Sequence, residues 1–377
     1  MRRHFLLLGI LGLVAVGMGA VQGLFSPLEE VRGLIRTYYL RAEEVQDEEL
    51  LYGAIRGMID ALDDPYSTFF TPEEYARFQE SLSGDYSGVG MEITIRDGRA
   101  TVVSPLPGTP AEAAGIKAGD WIKAIQGEPT EGQTLEEVSA RIRGPEGTSV
   151  TLIVQHPDGE EETITLIRAQ IHLDPVRWEY LEEEQVGYVR VFRFHFDTAG
   201  SLGRALYSLP LDELRGIVLD LRNNPGGLLS AAVEVASFFV DQGAIVRREG
   251  PASGTHVHFS QGNSLPNLPL AVLVNEGTAS ASEIVAGAIQ DHGVGVLVGR
   301  PTFGKGLIQE VVAQLPDGSA IKLTTGEYRT PSGHRVEGVG LTPDIPVEIE
   351  HEPEGEDPDL AAALVWIQSH APVVAIP

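Results

Sequence analysis

Between Pro27 and about Gln79 apolar residues recur at intervals of three and four, first as Leu28, Val31, Leu34, Ile35 and Tyr38, then as Leu50, Leu51, Ala54, Ile55 and Met58. That period predicts amphipathic helices, and the segment 26–82 reads as a small helical region. Its turn is Leu62-Asp63-Asp64-Pro65-Tyr66-Ser67, and Thr71-Pro72 opens a further helix with a capping residue followed by proline. A glycine-rich step at 83–88 then changes the period to two. Five alternating runs follow, Met91–Ile95, Ala100–Val103, Trp121–Ile125, Val150–Val154 and Thr163–Ile167, with one capped helix starting at Thr134. The segment 83–170 therefore reads as a small, partly open β-barrel flanked by a helix. From 171 to 350 apolar strands alternate with helical stretches, which predicts an α/β layer. The stretch 351–377 reads as an acidic tail carrying a short helix around Asp359–Ile367. The fold class that results is α+β and multidomain.

Residues 1–25 stand apart. Arg2 and Arg3 precede an uncharged apolar run from Phe5 to Val21, the pattern of a signal peptide or a membrane anchor. Either outcome puts the rest of the chain outside the cytoplasm, in the periplasm or at the cell surface. The 377 residues carry a formal charge of −27, which excludes broad contact with nucleic-acid phosphates and favours protein or peptide partners. With no cysteine there is no disulfide, thiol nucleophile or thiolate metal site.

The candidate chemistry lies at two strand-to-helix junctions and in a lysine segment that follows another apolar strand. Asn275-Glu276-Gly277-Thr278-Ala279-Ser280-Ala281-Ser282-Glu283 leaves an apolar strand, turns at Gly277 and enters a helix. Ser280 would face the positive end of that helix, where free N–H groups favour a developing negative charge; taken alone, a serine there is more often a plain helix cap. Thr302-Phe303-Gly304-Lys305-Gly306 sets a lysine between two glycines beside apolar neighbours. A lysine made neutral by burial can take a proton from serine. Gln309, four residues on, would reach that amine only where the segment turns or coils. Asp220 to Gly227, with paired glycines, offers either oxyanion-binding N–H groups or a plain tight turn. Gly88-Val89-Gly90-Met91 opens the barrel with a loop whose amides can capture a carboxylate. His256 and His258 lack a third metal ligand, and His292 and His334 lack the G-x-S-x-G elbow that would make them partners of a serine.

These motifs together resemble the carboxyl-terminal processing peptidases, tail-specific serine peptidases that carry a PDZ domain, over roughly residues 30–350. The resemblance implies a PDZ domain at 83–170 and a crotonase-like α/β peptidase core at 171–350. It also implies Ser280 as nucleophile, Lys305 as general base, Gln309 orienting the lysine, and Gly227 (or Gly226) with Ala281 as oxyanion-hole donors. Gly88, Val89, Gly90 and Met91 become the loop that holds the carboxyl ends of apolar substrate tails. Neither metal nor organic cofactor is needed; a homodimer formed through the helical region and a regulatory partner protein are further expectations. Two readings compete: a PDZ adaptor without turnover, and an acyl-thioester enzyme of crotonase-like fold.

Overall fold

The computed structural model describes residues 26–96, 98–172, 174–252, 254–262, 265, 268–348 and 357–371. The charged and apolar segment 1–25 and the acidic stretch 349–356 lie outside the described residues. The chain forms two compact units. One comprises the N-terminal region to Tyr75 with residues 309–325, and the other comprises 76–308 with 326–377.

In the first unit α1 (26–38) and α2 (Asp47–Asp60) precede a three-residue strand, β1 (Thr68–Phe70), and the capped start of α3 (Pro72–Ser83). Thr71 and Glu74 make a reciprocal cap, each side chain accepting the other residue's backbone N–H. Arg36 binds Asp47 at 2.7 Å and so fastens α1 to α2. The predicted apolar stripe exists but is left uncovered: Leu28, Val31, Leu34 and Tyr38 are 47–79% exposed.

The β-rich module is closed at its base by β2 (Asp85–Gly88), which pairs with β9 (Ala169–His172). Between them run β3 (Met91–Arg96), β4 (Arg99–Pro105), α4 (Pro110–Ala113), β5 (Trp121–Ile125), β6 (Glu128–Pro129), α5 (Leu135–Ile142), β7 (Ser149–Gln155) and β8 (Glu161–Ile167), in the sheet order β3-β4-β5-β7-β8. Period-two burial on β7 sends Val150, Leu152 and Val154 inward against Val138 and Ile142 of α5. The pairing of β2 with β9 has no alternating signal in the sequence and was not expected.

The larger module is built on β10 (Val176–Leu181), β11 (Val186–Val191), β12 (Gly216–Asp220), β15 (Leu270–Val274), β16 (Val296–Gly299) and β19 (Ile345–Pro346), in that order; β11 to β19 are parallel. Both faces are covered, so the central strands are apolar throughout. Ile217, Leu219, Val272 and Val274 face α6 (Thr198–Ser208), α7 (Leu229–Ala236) and α8 (Ala281–His292), while Val218, Ala271 and Leu273 pack on α9 (Pro358–His370). Arg222 bridges Asp220, Asp357 and Asp359, and Arg300 also binds Asp359, which clamps the start of α9 to the strand ends. A second sheet contains β13 (Ala244–Gly250), β14 (Gly254–Phe259), β17 (Leu307–Gln314) and β18 (Ala320–Arg329). Residues 309–325, most of the β17–β18 hairpin, group with the N-terminal unit, in which β1 pairs Thr68 with Lys322 and Phe70 with Ala320. A three-residue strand is too short for a period-two pattern to register.

Candidate active site

Parallel strands end together, so the loops after β12 and β15 meet at the carboxyl edge of the sheet, where open α/β folds place their chemistry. The two loops are laced to each other. Thr278 Oγ1 donates to Leu221 O at 2.9 Å, the Ala279 N–H to Asn224 O at 3.0 Å, and Ser282 Oγ to the same carbonyl at 2.9 Å. Ser282 is thus fully buried and turned inward, whereas Ser280 is partly exposed at the amino end of α8. Ser280 has φ 57° and ψ −117°, a sparsely populated backbone conformation that costs a non-glycine residue about 1–3 kcal/mol. Such strain persists where neighbouring contacts overdetermine the backbone.

Gly226 presses against this turn. A Cβ on Gly226 would lie 2.8 Å from both Ser280 Cβ and Ala281 N, and one on Gly227 would lie 2.1 Å from Phe194 O. Both glycines have positive φ, so the paired glycines answer a double requirement of conformation and space. The Gly226 N–H is already bonded to Asn224 Oδ1 at 2.9 Å. Among the described residues no hydrogen bond within the protein uses the N–H of Gly227 or Ala281; Ala281 follows Ser280 directly, and Gly227 follows the Gly226 that packs against Ser280.

Lys305 reaches the same place from after β16. One oxygen of Glu283, Oε2, accepts the N–H of Ser280 at 2.8 Å and that of Lys305 at 2.9 Å. The other, Oε1, accepts the Gly304 N–H at 2.8 Å and the Thr302 hydroxyl. Tyr328 Oη lies 2.9 Å from Ser280 O, 2.7 Å from Lys305 O and 3.5 Å from Glu283 Oε2. Two residues 25 positions apart are therefore held by the same two side chains, which also touch each other. Burial pushes the Lys305 ammonium below its ordinary range, with the Glu337 carboxylate acting in the opposite direction.

Glu283 and Tyr328 were not singled out as site residues from sequence. Glu283 carries a signal only for the first half of its role, the S-x-x-E pattern of a helix start; its hold on 302–305 exists only after folding. Tyr328, fully enclosed on β18, has no sequence signal. Gln309 lies on β17, in extended backbone and in the other compact unit, where its amide donates to Thr324 Oγ1 at 3.4 Å. His292 and His334 are engaged elsewhere, by Ala244 O at 2.7 Å and by Ser332 and Asp291.

In the β-rich module Gly88, Val89, Gly90 and Met91 line a groove with Tyr86, Ile93 and, from the helix side, Ser139, Ile142 and Arg143. Val89 O accepts the Ala111 N–H at 2.8 Å. A trans peptide points its N–H opposite its C=O, so the Gly90 N–H is directed away from that contact. Arg143, 5.0 Å above the Tyr86 ring, adds a cation to the groove that sequence reading did not identify. Gly90 has φ 76°, and a Cβ there would lie 2.3 Å from Thr109 Cβ. Gly90→Ala is expected to destabilise this module by about 1–3 kcal/mol, measured by chemical unfolding; an unchanged midpoint would show that the loop relaxes freely.

The chain matches peptidase family S41 over residues 185–347, the PDZ domain over 101–156 and the activating protease CtpB N-terminal domain over 19–74. It is 42% identical to a carboxyl-terminal-processing protease of Picosynechococcus sp. across 87% of this chain and 80% of that protein. It is 37% identical to a "Probable CtpA-like serine protease" of Staphylococcus aureus across 87% of this chain and 65% of the relative. Among solved structures, the photosystem II D1 C-terminal processing protease superposes with a TM-score of 0.54 at 35% identity, covering 88% of this chain and 89% of that one.

Proposed function

The chain belongs to peptidase family S41 as a carboxyl-terminal-processing serine peptidase with a PDZ domain, and on that premise we propose that it cuts extracytoplasmic proteins near or from their carboxyl ends with a Ser280–Lys305 pair. The observation that carries this reading is the single Glu283 oxygen that holds the backbones of both residues beside two unengaged N–H groups. Neutral Lys305 takes the Ser280 proton as Oγ attacks the peptide carbonyl; the Gly227 and Ala281 N–H groups receive the oxyanion, and Lys305 returns the proton to the leaving amine. Water then resolves the acyl-enzyme by the same steps. The role of Gln309 in orienting the lysine rests on its motif position and the resemblance.

Substrate tails enter the groove beside Gly88–Met91, a reading supported by the outward-directed Gly90 N–H and by Arg143, which suit a terminal carboxylate over an apolar floor. The exposed stripe on α1 supports a homodimer, and the likeness of residues 19–74 to the CtpB N-terminal domain supports control by a partner protein. The extracytoplasmic setting rests on Arg2, Arg3 and the apolar run behind them, which either anchors the protein or is removed. The test is cleavage of an unstructured protein ending in apolar residues, beside the same protein ending in aspartates. The apolar tail should be cut faster, and Ser280→Ala should bind it without cutting. Binding without cleavage by the unsubstituted protein would instead indicate an adaptor.

A further inference from the structure

The lysine loop is seated on a second loop, 336–341, that follows β18. Thr302 N–H donates to Leu341 O at 3.1 Å, Leu341 N–H to Thr302 Oγ1 at 2.7 Å, and Gly338 N–H to Gly304 O at 2.9 Å. Close approach is enforced by glycine: a Cβ on Gly304 would lie 2.8 Å from Gly340 N, and one on Gly306 would lie 2.4 Å from Glu337 N. At the centre of this seat the Glu337 carboxylate accepts the Gly306 N–H at 2.7 Å, one residue beyond Lys305.

We propose that Glu337 is a positioning residue for the general base, holding the lysine loop through Gly306 and setting, by its charge beside Lys305, the pH at which the serine–lysine pair becomes competent. This inference rests on the Ser280–Lys305 reading above. Of the titratable groups around Lys305, Glu283 is engaged with backbone N–H groups and the Thr302 hydroxyl, and the Tyr328 hydroxyl lies against the Ser280 and Lys305 carbonyls and, at 3.5 Å, Glu283 Oε2. Glu337 is the carboxylate whose charge favours the ammonium form, against the burial that favours the neutral amine. A protonated lysine cannot accept the serine proton. Glu337 therefore holds back activity on the acid side of the profile while it keeps the loop in register.

The sign of the test follows. Glu337→Gln retains an oxygen for the Gly306 N–H but removes the charge, so the neutral lysine forms at lower pH. The acid limb of kcat/KM should move to lower pH, with kcat/KM on that limb rising several-fold over the unsubstituted enzyme. Glu337→Ala, which also removes the acceptor, should move the limb the same way and lower the alkaline plateau. An acid limb that stays in place in Glu337→Gln, with or without a lower plateau, would overturn the proposal and leave Glu337 a structural contact. Lys305→Ala, measured alongside, separates this failure from that of the underlying reading. Retention of cleavage in that variant would remove the lysine as base and the proposal with it.

Discussion

Lys305→Ala is expected to lower kcat/KM by about 10²- to 10⁴-fold, the range of a general base, while the protein still folds and binds tails. Folding should survive because the loop is held by its backbone: the Lys305 N–H by Glu283 and the Lys305 carbonyl by Tyr328. The pH profile separates this loss from a local rearrangement. Serine–lysine catalysis needs the neutral amine, so activity in the unsubstituted enzyme should rise with pH until Lys305 has lost its proton. Burial lowers the Lys305 pKa, which brings that rise toward neutrality relative to an ordinary lysine. The residual activity of Lys305→Ala should lack the limb. A limb of unchanged position in the variant would assign it to another group, and the mechanism would then need a different base.

Loss of the Glu283 carboxylate should be almost as damaging, by a different route. In Glu283→Ala the N–H groups of Ser280, Gly304 and Lys305 and the Thr302 hydroxyl all lose an acceptor that is itself fully buried. Glu283→Gln offers no rescue. Each carboxylate oxygen receives at least two donors, Oε1 the Thr302 hydroxyl and the Gly304 N–H, Oε2 the Ser280 and Lys305 N–H groups, so either orientation of the amide sets its NH₂ against a pair of them. In Glu283→Gln, with two donors left unsatisfied at about 1–3 kcal/mol each, a stability loss of roughly 2–6 kcal/mol is expected, and Glu283→Ala, which strips the acceptor from four, should lose at least as much. Thermal unfolding measures this directly. Any folded fraction should show a reduced kcat, since Ser280 and Lys305 no longer share an anchor. Full stability of Glu283→Gln with full activity would mean that the two loops are held by the glycine packing alone.

Much of this protein was legible in its residues because the relevant physics is local. Period-two runs mark β3, β4, β5, β7 and β8, since alternate side chains on a half-buried strand must be apolar. The capping pair Thr134 and Glu137 starts α5, where both reciprocal hydrogen bonds form. Ser280 and the paired glycines Gly226 and Gly227 stood out because a strand that turns sharply into a helix permits few residue types there. The net charge of −27 and the absence of cysteine bear on whole classes of partner and chemistry without reference to any element of the fold.

What the tertiary structure alone decided is which distant segments meet. The pairing of β2 with β9 joins residues far apart in the chain, and β1 finds its partner on β18; neither strand is long enough to announce itself. Gly226 rather than Gly227 spends its N–H on Asn224, a distinction that two adjacent glycines cannot express in sequence. Above all, Glu283, Tyr328 and Glu337 owe their roles to contacts across 22, 23 and 31 positions, and a carboxylate or a phenol carries no mark of the loop it will hold. Local preference selects the residue types a turn can accept. Only the closed chain determines which turns share an atom.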